Sequence, residues 1–223
     1  MTATIGGPPT LPWDTTTLHS LRQRVEDRLL VQDRVLIGLT GPPGAGKSTI
    51  SELLVSGLDE LLPGQVALVP MDGYHLAQSA IERMGLADVK GAPETFDGAG
   101  YVALLQRLRL ETDTTVYAPE FRREIDDAVA AAVAVPPRVR VIITEGNYLL
   151  LDTAPWTQVR TLLDEAWYVE LDDGTRIDRL VERHVRFKDD PVTAERRARG
   201  SDQRNADLVA RSKNRADLVL VHG

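Results

Sequence analysis

The chain contains no cysteine, and this absence excludes two kinds of site. Without thiols there is neither a disulfide framework nor a zinc–thiolate centre, and the composition fits a reducing cytosol. The first residues show no charged segment followed by an apolar one, so they do not resemble a secretory signal. No apolar run approaches the ~20 residues that span a bilayer. We therefore expect a soluble, cytoplasmic protein.

Basic residues are fewer than acidic ones. Lys and Arg number 26 against 33 Asp and Glu, which gives a formal net charge of −7. This balance argues against a nucleic-acid-binding surface, and we expect no nucleic-acid or membrane partner. The 223 residues suffice for one sizeable α/β domain. We predict a flexible lead-in at residues 1–12 and a single domain over residues 13–223.

Residues 41–48 read G-P-P-G-A-G-K-S and satisfy the pattern G-x-x-x-x-G-K-[S/T] in full. A β-branched apolar run precedes them and apolar residues at helical spacing follow, which is the strand–loop–helix context that this motif needs. Backbone N–H groups and the helix N-terminus would cradle a polyphosphate, Lys47 would reach its β- and γ-phosphates, and Ser48 would ligate Mg²⁺. The alternative is a Gly/Pro turn before an ordinary helix. We assign the nucleotide to Gly41, Pro42, Pro43, Gly44, Ala45, Gly46, Lys47, Ser48 and Thr49.

Apolar runs alternate with amphipathic segments along the rest of the chain. Predicted strands cover residues 35–40, 66–70, 139–144, 166–171 and 217–221. Predicted helices cover residues 14–32, 49–58, 100–110, 155–163, 175–188 and 193–211. Residues 128–135 suit either state. The alternation predicts an α/β fold with a mostly parallel sheet and helices on both faces, where ligands bind at the carboxyl ends of the strands. The first helix is a candidate homodimer surface.

Two carboxylates directly follow predicted strands. Asp72 would lie next to the γ-phosphate, where it would orient an acceptor hydroxyl and take its proton. Alternatively, it belongs to an Asp-Gly turn. Glu145 has the position of a Walker B acid and would hold Mg²⁺ through water or help to orient the acceptor. Its alternative is a cap on the following turn.

Polar loops supply the other candidates for acceptor binding. Glu94 and Asp97 would hydrogen-bond a polyol or cap the next helix. Residues 116–127 have the composition of a polar loop, either a substrate lid or a solvated turn. His75 would contact substrate or cap a helix. The candidates for the acceptor site are Asp72, Tyr74, His75, Glu94, Asp97, Tyr117, Glu120, Asn147 and Tyr148.

A basic helix is predicted from residue 175. Its four arginines recur at three- or four-residue spacing and share one face: Arg176, Arg179, Arg183 and Arg186. A charge run is usually a solvated face. Cations that face a phosphoryl group, however, stabilise the charge on its oxygens in the transition state. We assign Arg183 to catalysis and Arg179 to the nucleotide.

Together these motifs resemble the P-loop kinase group that includes uridine kinase, bacterial-type pantothenate kinase and phosphoribulokinase. The resemblance covers residues 36–221 and rests on G-P-P-G-A-G-K-S, P-M-D-G-Y-H-L, K-G-A-P-E-T-F-D, V-Y-A-P-E-F, V-I-I-T-E-G-N-Y-L-L-L-D, the R-x-x-x-R-H helix and S-D-Q-R-N-A-D-L. Within the group the chain is most similar to small nucleoside/nucleotide kinase family and fructose-transport-system kinase-like proteins. The resemblance implies a P-loop NTPase fold, Asp72 as catalytic base, a helical lid at about residues 183–200 that closes over ATP, and Asn205 on the nucleotide side.

The sequence thus predicts an enzyme that uses ATP and Mg²⁺ to phosphorylate an alcohol group of a small metabolite. Acidic, poorly aromatic pocket loops rank a sugar or sugar-like polyol first, a nucleoside second and pantothenate third. The chain has no N-K-x-D guanine signature, which argues against a GTPase. An ATPase module acting on a partner remains an alternative. So does an idle nucleotide-binding protein, although intact Lys47, Ser48, Asp72 and Glu145 argue against it.

Overall fold

A computed structural model describes residues 7–187 and 189–222 of the chain. Residues 1–6 of the predicted lead-in and Lys188 of the predicted lid lie outside the described residues. The strands are β1 (Thr10–Pro12), β2 (Val35–Thr40), β3 (Val66–Leu68), β4 (Val116–Arg122), β5 (Asp127–Val135), β6 (Val141–Gly146), β7 (Glu165–Glu170) and β8 (Leu218–Val221). The α-helices are α1 (Thr15–Leu29), α2 (Lys47–Asp59), α3 (Gln78–Arg83), α4 (Gly98–Leu110), α5 (Thr157–Leu162), α6 (Asp173–Arg186), α7 (Pro191–Arg197) and α8 (Gln203–Ala210).

Six of these strands form one sheet in the order β1-β8-β7-β2-β6-β3, and every pairing in it is parallel. All residues of β2 and β6 are buried. A parallel strand that is covered on both faces is apolar almost without interruption, which explains runs such as V-L-I-G-L-T. The predicted α/β architecture with a mostly parallel sheet is confirmed.

Alternate side chains of the central strands enter two separate cores. Leu36 and Ile142 pack in one core with buried residues of α4 and α5. Ile37 and Ile143 point to the other face and pack with buried residues of α1 and α2. This arrangement follows from the two-residue period of a strand. The sheet therefore lies between two helical layers, and its carboxyl edge is left for the loops that carry chemistry.

The predicted lead-in is wrong for its last three residues. Thr10–Pro12 forms an edge strand whose residues pair with Val219, Leu220 and Val221 of β8. Proline is tolerated at the edge of a sheet because its missing N–H need not meet a second strand. The remaining division into a lead-in and one domain stays a prediction. No helix in the described part of the chain is long and apolar enough to cross a membrane.

The predicted polar loop at residues 116–127 is also wrong, because β4 and β5 pair there as an antiparallel hairpin. Val116 and Ala118 are buried, whereas Tyr117 between them is 55% exposed, which is the alternation of a half-buried strand. The register shifts between Ala118 and Glu120, so Pro119 lies at an irregularity where no ladder hydrogen bond is required. The same pairing settles residues 128–135 as strand.

The long helix predicted at residues 193–211 is divided into three parts. A π-helical segment, Ala198–Asp202, separates α7 from α8. Gly200 lies within it, and glycine weakens α-helical geometry. Short π-segments inside helices are frequent at functional sites. This segment follows α7 at the end of the predicted lid, and its last residue, Asp202, lines the cavity described next.

Candidate active site

A cavity of about 760 Å³ opens at the carboxyl edge of the central sheet. This volume is in the range of small-molecule sites. Its walls come from the loop after β2, the turn after β3, the end of β6, the β4–β5 hairpin and the predicted lid. The structure brings together in it ten of the predicted site residues: Pro43, Gly44, Lys47, Ser48, Asp72, His75, Glu145, Asn147, Arg183 and Asn205.

The glycine loop has the conformation that its sequence predicts. Gly44 and Gly46 have φ angles of +83° and +94°, a region that favours glycine. A methyl group on Gly44 would also lie 2.9 Å from the carbonyl oxygen of Arg176. Gly46 directly precedes α2, so the loop presents a helix N-terminus to the cavity. The other predicted loop residues, Gly41, Pro42, Ala45, Gly46 and Thr49, do not line the cavity.

Lys47 is held inside this loop and is only 8% exposed. Its Nζ donates to the carbonyl oxygens of Gly41 and Pro42, both at 3.1 Å, and to Oδ1 of Asn147 at 2.8 Å. Burial lowers the pKa of Lys47 to about 8, although the charge of Glu145 acts in the opposite direction. The ammonium is therefore positioned before a phosphate arrives, and Asn147 gains a role that its sequence position alone did not reveal.

Ser48 and Glu145 are directly hydrogen-bonded, with Oγ of Ser48 donating to Oε1 of Glu145 at 3.0 Å. Burial raises the pKa of Glu145, and the nearby carboxylate of Asp72 raises it further. A hydroxyl and a buried carboxylate form an oxygen donor set, and a divalent cation would offset the cost of burying that charge. The pair therefore fits Mg²⁺. No group of three or more His, Asp or Glu residues suited to a metal occurs in the described part of the chain. Mg²⁺ would thus need water and phosphate oxygens as well, which it commonly keeps.

Asp72 lies in a 3₁₀ turn, Met71–Tyr74, which follows β3 along the chain. Its side chain is 30% exposed, and its Oδ2 lies 3.8 Å from Nη2 of Arg123. The glycine that follows it is needed for packing, because a Cβ on Gly73 would lie 2.3 Å from the carbonyl oxygen of Pro119. The D-G-Y sequence thus lets the β4–β5 hairpin approach closely enough for Arg123 to reach the carboxylate.

His75 belongs to an aromatic wall of the cavity. Its ring lies between Phe96 and Phe121, with centroid distances of 4.0 and 4.5 Å. Nδ1 lies 2.7 Å from the carbonyl oxygen of Asp72, and because a carbonyl can only accept, Nδ1 carries the proton. Burial lowers the pKa of His75. The three rings are tilted with respect to one another and all line the cavity, so the pocket is more aromatic than its loop sequences predicted.

The arginines of α6 have different environments. Arg183 lines the cavity, and burial lowers its pKa, with a further decrease from the charge of Arg123. Arg176 is fully buried and donates through Nη1 to the carbonyl oxygen of Pro43 at 3.3 Å. Arg176 thereby joins the P-loop to α6, so the alternative that the arginines form a solvated face is wrong for this residue. Arg179 does not line the cavity, but its Nη1 lies 3.5 Å from where a methyl on Gly46 would be.

Asn205 and Tyr148 meet at one carbonyl. Nδ2 of Asn205 donates to the oxygen of Gly91 at 3.2 Å, and the Tyr148 hydroxyl donates to the same oxygen. Tyr148 is fully buried, and burial raises its pKa. These contacts join Asn205 to the loop at residues 90–98, and its position on the nucleotide side stays a prediction. They also make Tyr148 a support of the wall, outside the residues that line the cavity.

Two predicted acceptor contacts have structural roles instead. Asp97 is the N-cap of α4, where its Oδ1 accepts from the N–H of Gly100 at 2.8 Å, so the capping alternative is confirmed. Tyr74 packs edge-on against Tyr101, with ring centroids 5.5 Å apart. Neither residue lines the cavity.

Three further candidates lie outside the main cavity. Glu94 and Tyr117 are exposed and do not line it. Glu120 forms an ion pair with Arg122 at 3.4 Å and lines a smaller adjoining cavity at the hairpin. A strand directs successive side chains to opposite faces. The β4–β5 hairpin therefore turns some of its side chains toward the cavity and others toward solvent.

Sequence reasoning missed the residues that the hairpin and its neighbours bring to the cavity. Arg123 lies next to Asp72, and Phe187 contacts the Arg123 guanidinium at 5.9 Å from the ring centroid. Lys90 donates to Oδ2 of Asp126 at 2.7 Å and fixes the hairpin tip to the preceding loop. The alternation of Val116, Tyr117 and Ala118 was the available signal, because it indicates a strand.

Comparison with known proteins identifies the family. No protein-family model matches the chain. A Schizosaccharomyces pombe protein, provisionally named a uridine kinase, is 34% identical over 177 residues, which are 77% of this chain and 75% of that protein. The chain belongs to the P-loop kinase group. The ATP-dependent kinase-like protein notR′ of Aspergillus versicolor is another relative of this kinase, 40% identical over 64% of this chain and 88% of its own.

Solved structures agree with this assignment. A Silicibacter sp. TM1040 protein, provisionally described as a fructose transport system kinase, has a TM-score of 0.83 and 39% identity over 91% of this kinase and 98% of its own chain. Saccharomyces cerevisiae YFH7 shares the fold at 17% identity, with a TM-score of 0.80 over 95% and 99% of the two chains. The predicted family and P-loop fold are confirmed, and the protein is an ATP-dependent small-molecule kinase.

Proposed function

We propose that this kinase transfers the γ-phosphate of Mg²⁺-ATP to an alcohol group of a small hydroxylated metabolite. The observation that carries the proposal is the meeting of Lys47, Ser48, Asp72, Glu145 and Arg183 around one cavity. A phosphate-binding lysine and a candidate base on opposite sides of a phosphoryl group are what in-line transfer needs. A sugar or sugar-like polyol ranks first as acceptor, ahead of a nucleoside and pantothenate.

Different residues of the chain have different roles in this reaction. The loop amides and Lys47 hold the polyphosphate, and Arg183 offsets charge on the transferring group. Asp72 accepts the proton of the acceptor hydroxyl as that oxygen bonds to the γ-phosphorus. The bond between the γ-phosphorus and the bridging oxygen breaks, and ADP leaves. Ser48 and Glu145 would hold Mg²⁺, which supplies charge neutralisation of the phosphates when bound.

The α6–α7 segment would act as the lid. It includes Arg183 and continues through the π-helical segment Ala198–Asp202. Water in the site would compete with the acceptor for the γ-phosphate, so a kinase needs closure to suppress hydrolysis.

The test is ADP release with Mg²⁺-ATP across sugars, polyols, nucleosides and pantothenate, with Asp72→Asn as control. We expect an acceptor-dependent signal that falls by about 10²- to 10⁴-fold in the variant, while ATP affinity measured by calorimetry is retained. An acceptor-dependent rate that is unchanged in Asp72→Asn would disprove the role of Asp72. Hydrolysis that no acceptor stimulates would instead favour an ATPase module.

A further inference from the structure

An arginine of the hairpin, Arg123, lacks a close partner among the described residues. Within residues 7–187 and 189–222 the Arg123 guanidinium makes no hydrogen bond. Its contacts there are the ion pair with Asp72, at 3.8 Å between Nη2 and Oδ2, and the ring of Phe187 at 5.9 Å. A separation of 3.8 Å is too long for a hydrogen bond. The five N–H donors of this guanidinium are therefore available to a ligand.

The other basic side chains around the cavity have evident partners or belong to another wall. Lys90 is bound to Asp126, and Arg197 is bound to Asp189 at 2.8 Å. Lys47 donates to loop carbonyls. Arg183 and Arg186 also make no hydrogen bond within the described residues, but they lie on α6 and not on the hairpin. Arg123 is thus the cation that the hairpin contributes beside the candidate base. Glu124 follows it at the rim, but that side chain is exposed, where water weakens its effect.

The surroundings of Arg123 suit a bound anion. Arg123 and Arg183 both line the cavity, and the pKa of Arg183, which burial lowers, is lowered further by the positive charge of Arg123. An anionic group placed against Arg123 would reduce this repulsion between like charges. The Arg123 side chain is 42% exposed, and its backbone lies in the turn between β4 and β5. Guanidinium binds carboxylate or phosphate with two parallel hydrogen bonds.

We propose that Arg123 binds an anionic group of the acceptor, so that the substrate class is hydroxy compounds bearing a carboxylate or a phosphate close to the reacting hydroxyl. This inference rests on the proposed function, in which Asp72 faces that hydroxyl, and it replaces the neutral polyol ranked first there with a hydroxy compound that carries an anionic group. Asp72 Oδ2 and Arg123 Nη2 are 3.8 Å apart, and each would make one hydrogen bond to the acceptor. The three distances together place the reacting hydroxyl and the anionic group within about 9 Å of each other. Arg123 is then a specificity-determining residue.

The test uses acceptor pairs that differ in charge. Glycerate is compared with glycerol, gluconate with sorbitol, pantothenate with panthenol, and fructose 6-phosphate with fructose. Thermal shift with Mg²⁺ and a non-hydrolysable ATP analogue reports binding, and ADP release with Mg²⁺-ATP reports transfer. The first three pairs test a carboxylate and the last tests a phosphate, so the panel also separates the two anions.

Three variants of the full chain complete the design. Arg123→Gln removes the charge, and Arg123→Lys keeps the charge but removes the planar fork. Arg122→Gln is the matched control, because Arg122 is the neighbouring hairpin residue, is 55% exposed and pairs with Glu120 outside the main cavity. All three variants are compared with the unaltered chain for melting temperature before any ligand is added.

We expect at least one anionic compound to bind and react while its neutral counterpart does not. Arg123→Gln should raise the acceptor KM by about tenfold or more and change kcat by less than about threefold. Arg123→Lys should lie between, and Arg122→Gln should match the unaltered chain. Anionic ligands should lose their thermal shift in Arg123→Gln only.

Two results would overturn the inference. One is a panel in which neutral compounds bind and react as well as anionic ones, or in which no anionic compound binds. The other is a fall in kcat alone for Arg123→Gln, equal for both members of a pair, which would place Arg123 on the phosphoryl group. Binding that depends on Arg123 without ADP release would sustain the inference and disprove the proposed function, so the two failures are distinguishable.

Discussion

The nucleotide end and the acceptor end of the cavity are carried by different kinds of structure. Lys47 directly follows the glycine loop and Glu145 lies near the end of β6. Each is 8% exposed and hydrogen-bonded to a neighbouring side chain. Asp72 lies in a 3₁₀ turn and Arg123 at a hairpin tip, with side chains 30% and 42% exposed. The first end is fixed by the buried sheet, whereas the second depends on loops that pack on it.

This difference has a chemical reason. P-loop kinases share the polyphosphate of their nucleotide, so backbone amides and one lysine in a rigid loop can serve members of the group that act on different acceptors. Acceptors differ, and a hairpin at the edge of the fold can change without disturbing the core. Relatives of this chain are named for uridine and for pantothenate. The comparison predicts that changes at one end should leave the other largely intact.

The largest effect should come from breaking the nucleotide end with Lys47→Ala. Loss of the ammonium that the loop carbonyls and Asn147 position should lower kcat/KM for ATP by about 10³-fold. Steady-state ADP release measures the effect. The control is Lys213→Ala, because Lys213 does not line the cavity and forms an ion pair with Glu170, with 2.6 Å between Nζ and Oε1. A variant that kept a tenth of the activity would show that the loop amides suffice.

Gly73→Ala should break the acceptor end alone. The added methyl would lie 2.3 Å from the carbonyl oxygen of Pro119, so the hairpin must move, and we expect the free energy of unfolding to fall by about 1–3 kcal/mol. ATP affinity should change by less than about twofold, since the loop after β2 is untouched. Urea unfolding and calorimetry with ATP check both statements.

Gly7→Ala is the control for that substitution, because no described atom beyond its chain neighbours lies within 4 Å of a methyl built there. Its stability should equal that of the unaltered chain. If Gly73→Ala weakened ATP binding as much as stability, the two ends would be coupled, and the comparison drawn between them would be wrong.

The same division explains what the sequence could predict. The G-P-P-G-A-G-K-S loop, the buried strands beside it and the position of Glu145 follow from local rules, because a continuous apolar run and glycine spacing are specified within a few residues. The hairpin was mistaken for a loop, since its polar residues masked the alternation of Val116 and Ala118. Arg123 meets Asp72 only through that long-range packing, which no local pattern reports.

A third prediction uses pH to separate the two ends. Burial lowers the pKa of Lys47 from its ordinary value to about 8, so the free enzyme loses this positive charge as pH rises through that value. kcat/KM for ATP should be level below about pH 7, should fall to about half near pH 8, and should fall by up to about tenfold per unit well above it, because this quantity follows the free enzyme. A pH series of initial ADP-release rates measures it.

Lys47→Arg sharpens the pH test, because a guanidinium stays protonated throughout this range. Its rate should be lower at every pH, but the decline above pH 8 should disappear. A decline that persisted in Lys47→Arg would assign the titration to another group, and a level profile in the unaltered chain would mean that the buried lysine keeps its ordinary pKa.

The smallest effect should come from removing the ion pair between Asp126 and Lys90, which holds the hairpin tip. Asp126 pairs with Lys90 at 2.7 Å, but its side chain is 70% exposed, so water screens the pair. Asp126→Asn removes the charge and keeps a residue type that tolerates the φ angle of +52° found there. We expect a loss of about 0.5 kcal/mol in the free energy of unfolding at low salt.

Urea unfolding of Asp126→Asn, Lys90→Gln and the double variant isolates the pair as a coupling energy. That energy should vanish in about 1 M salt, where the screening length is about 3 Å. The tip would then be held mainly by the packing of the hairpin on Gly73, where Pro119 makes its close approach. A coupling of several kcal/mol that survived high salt would mean instead that this ion pair fixes the acceptor end as firmly as the sheet fixes the nucleotide end.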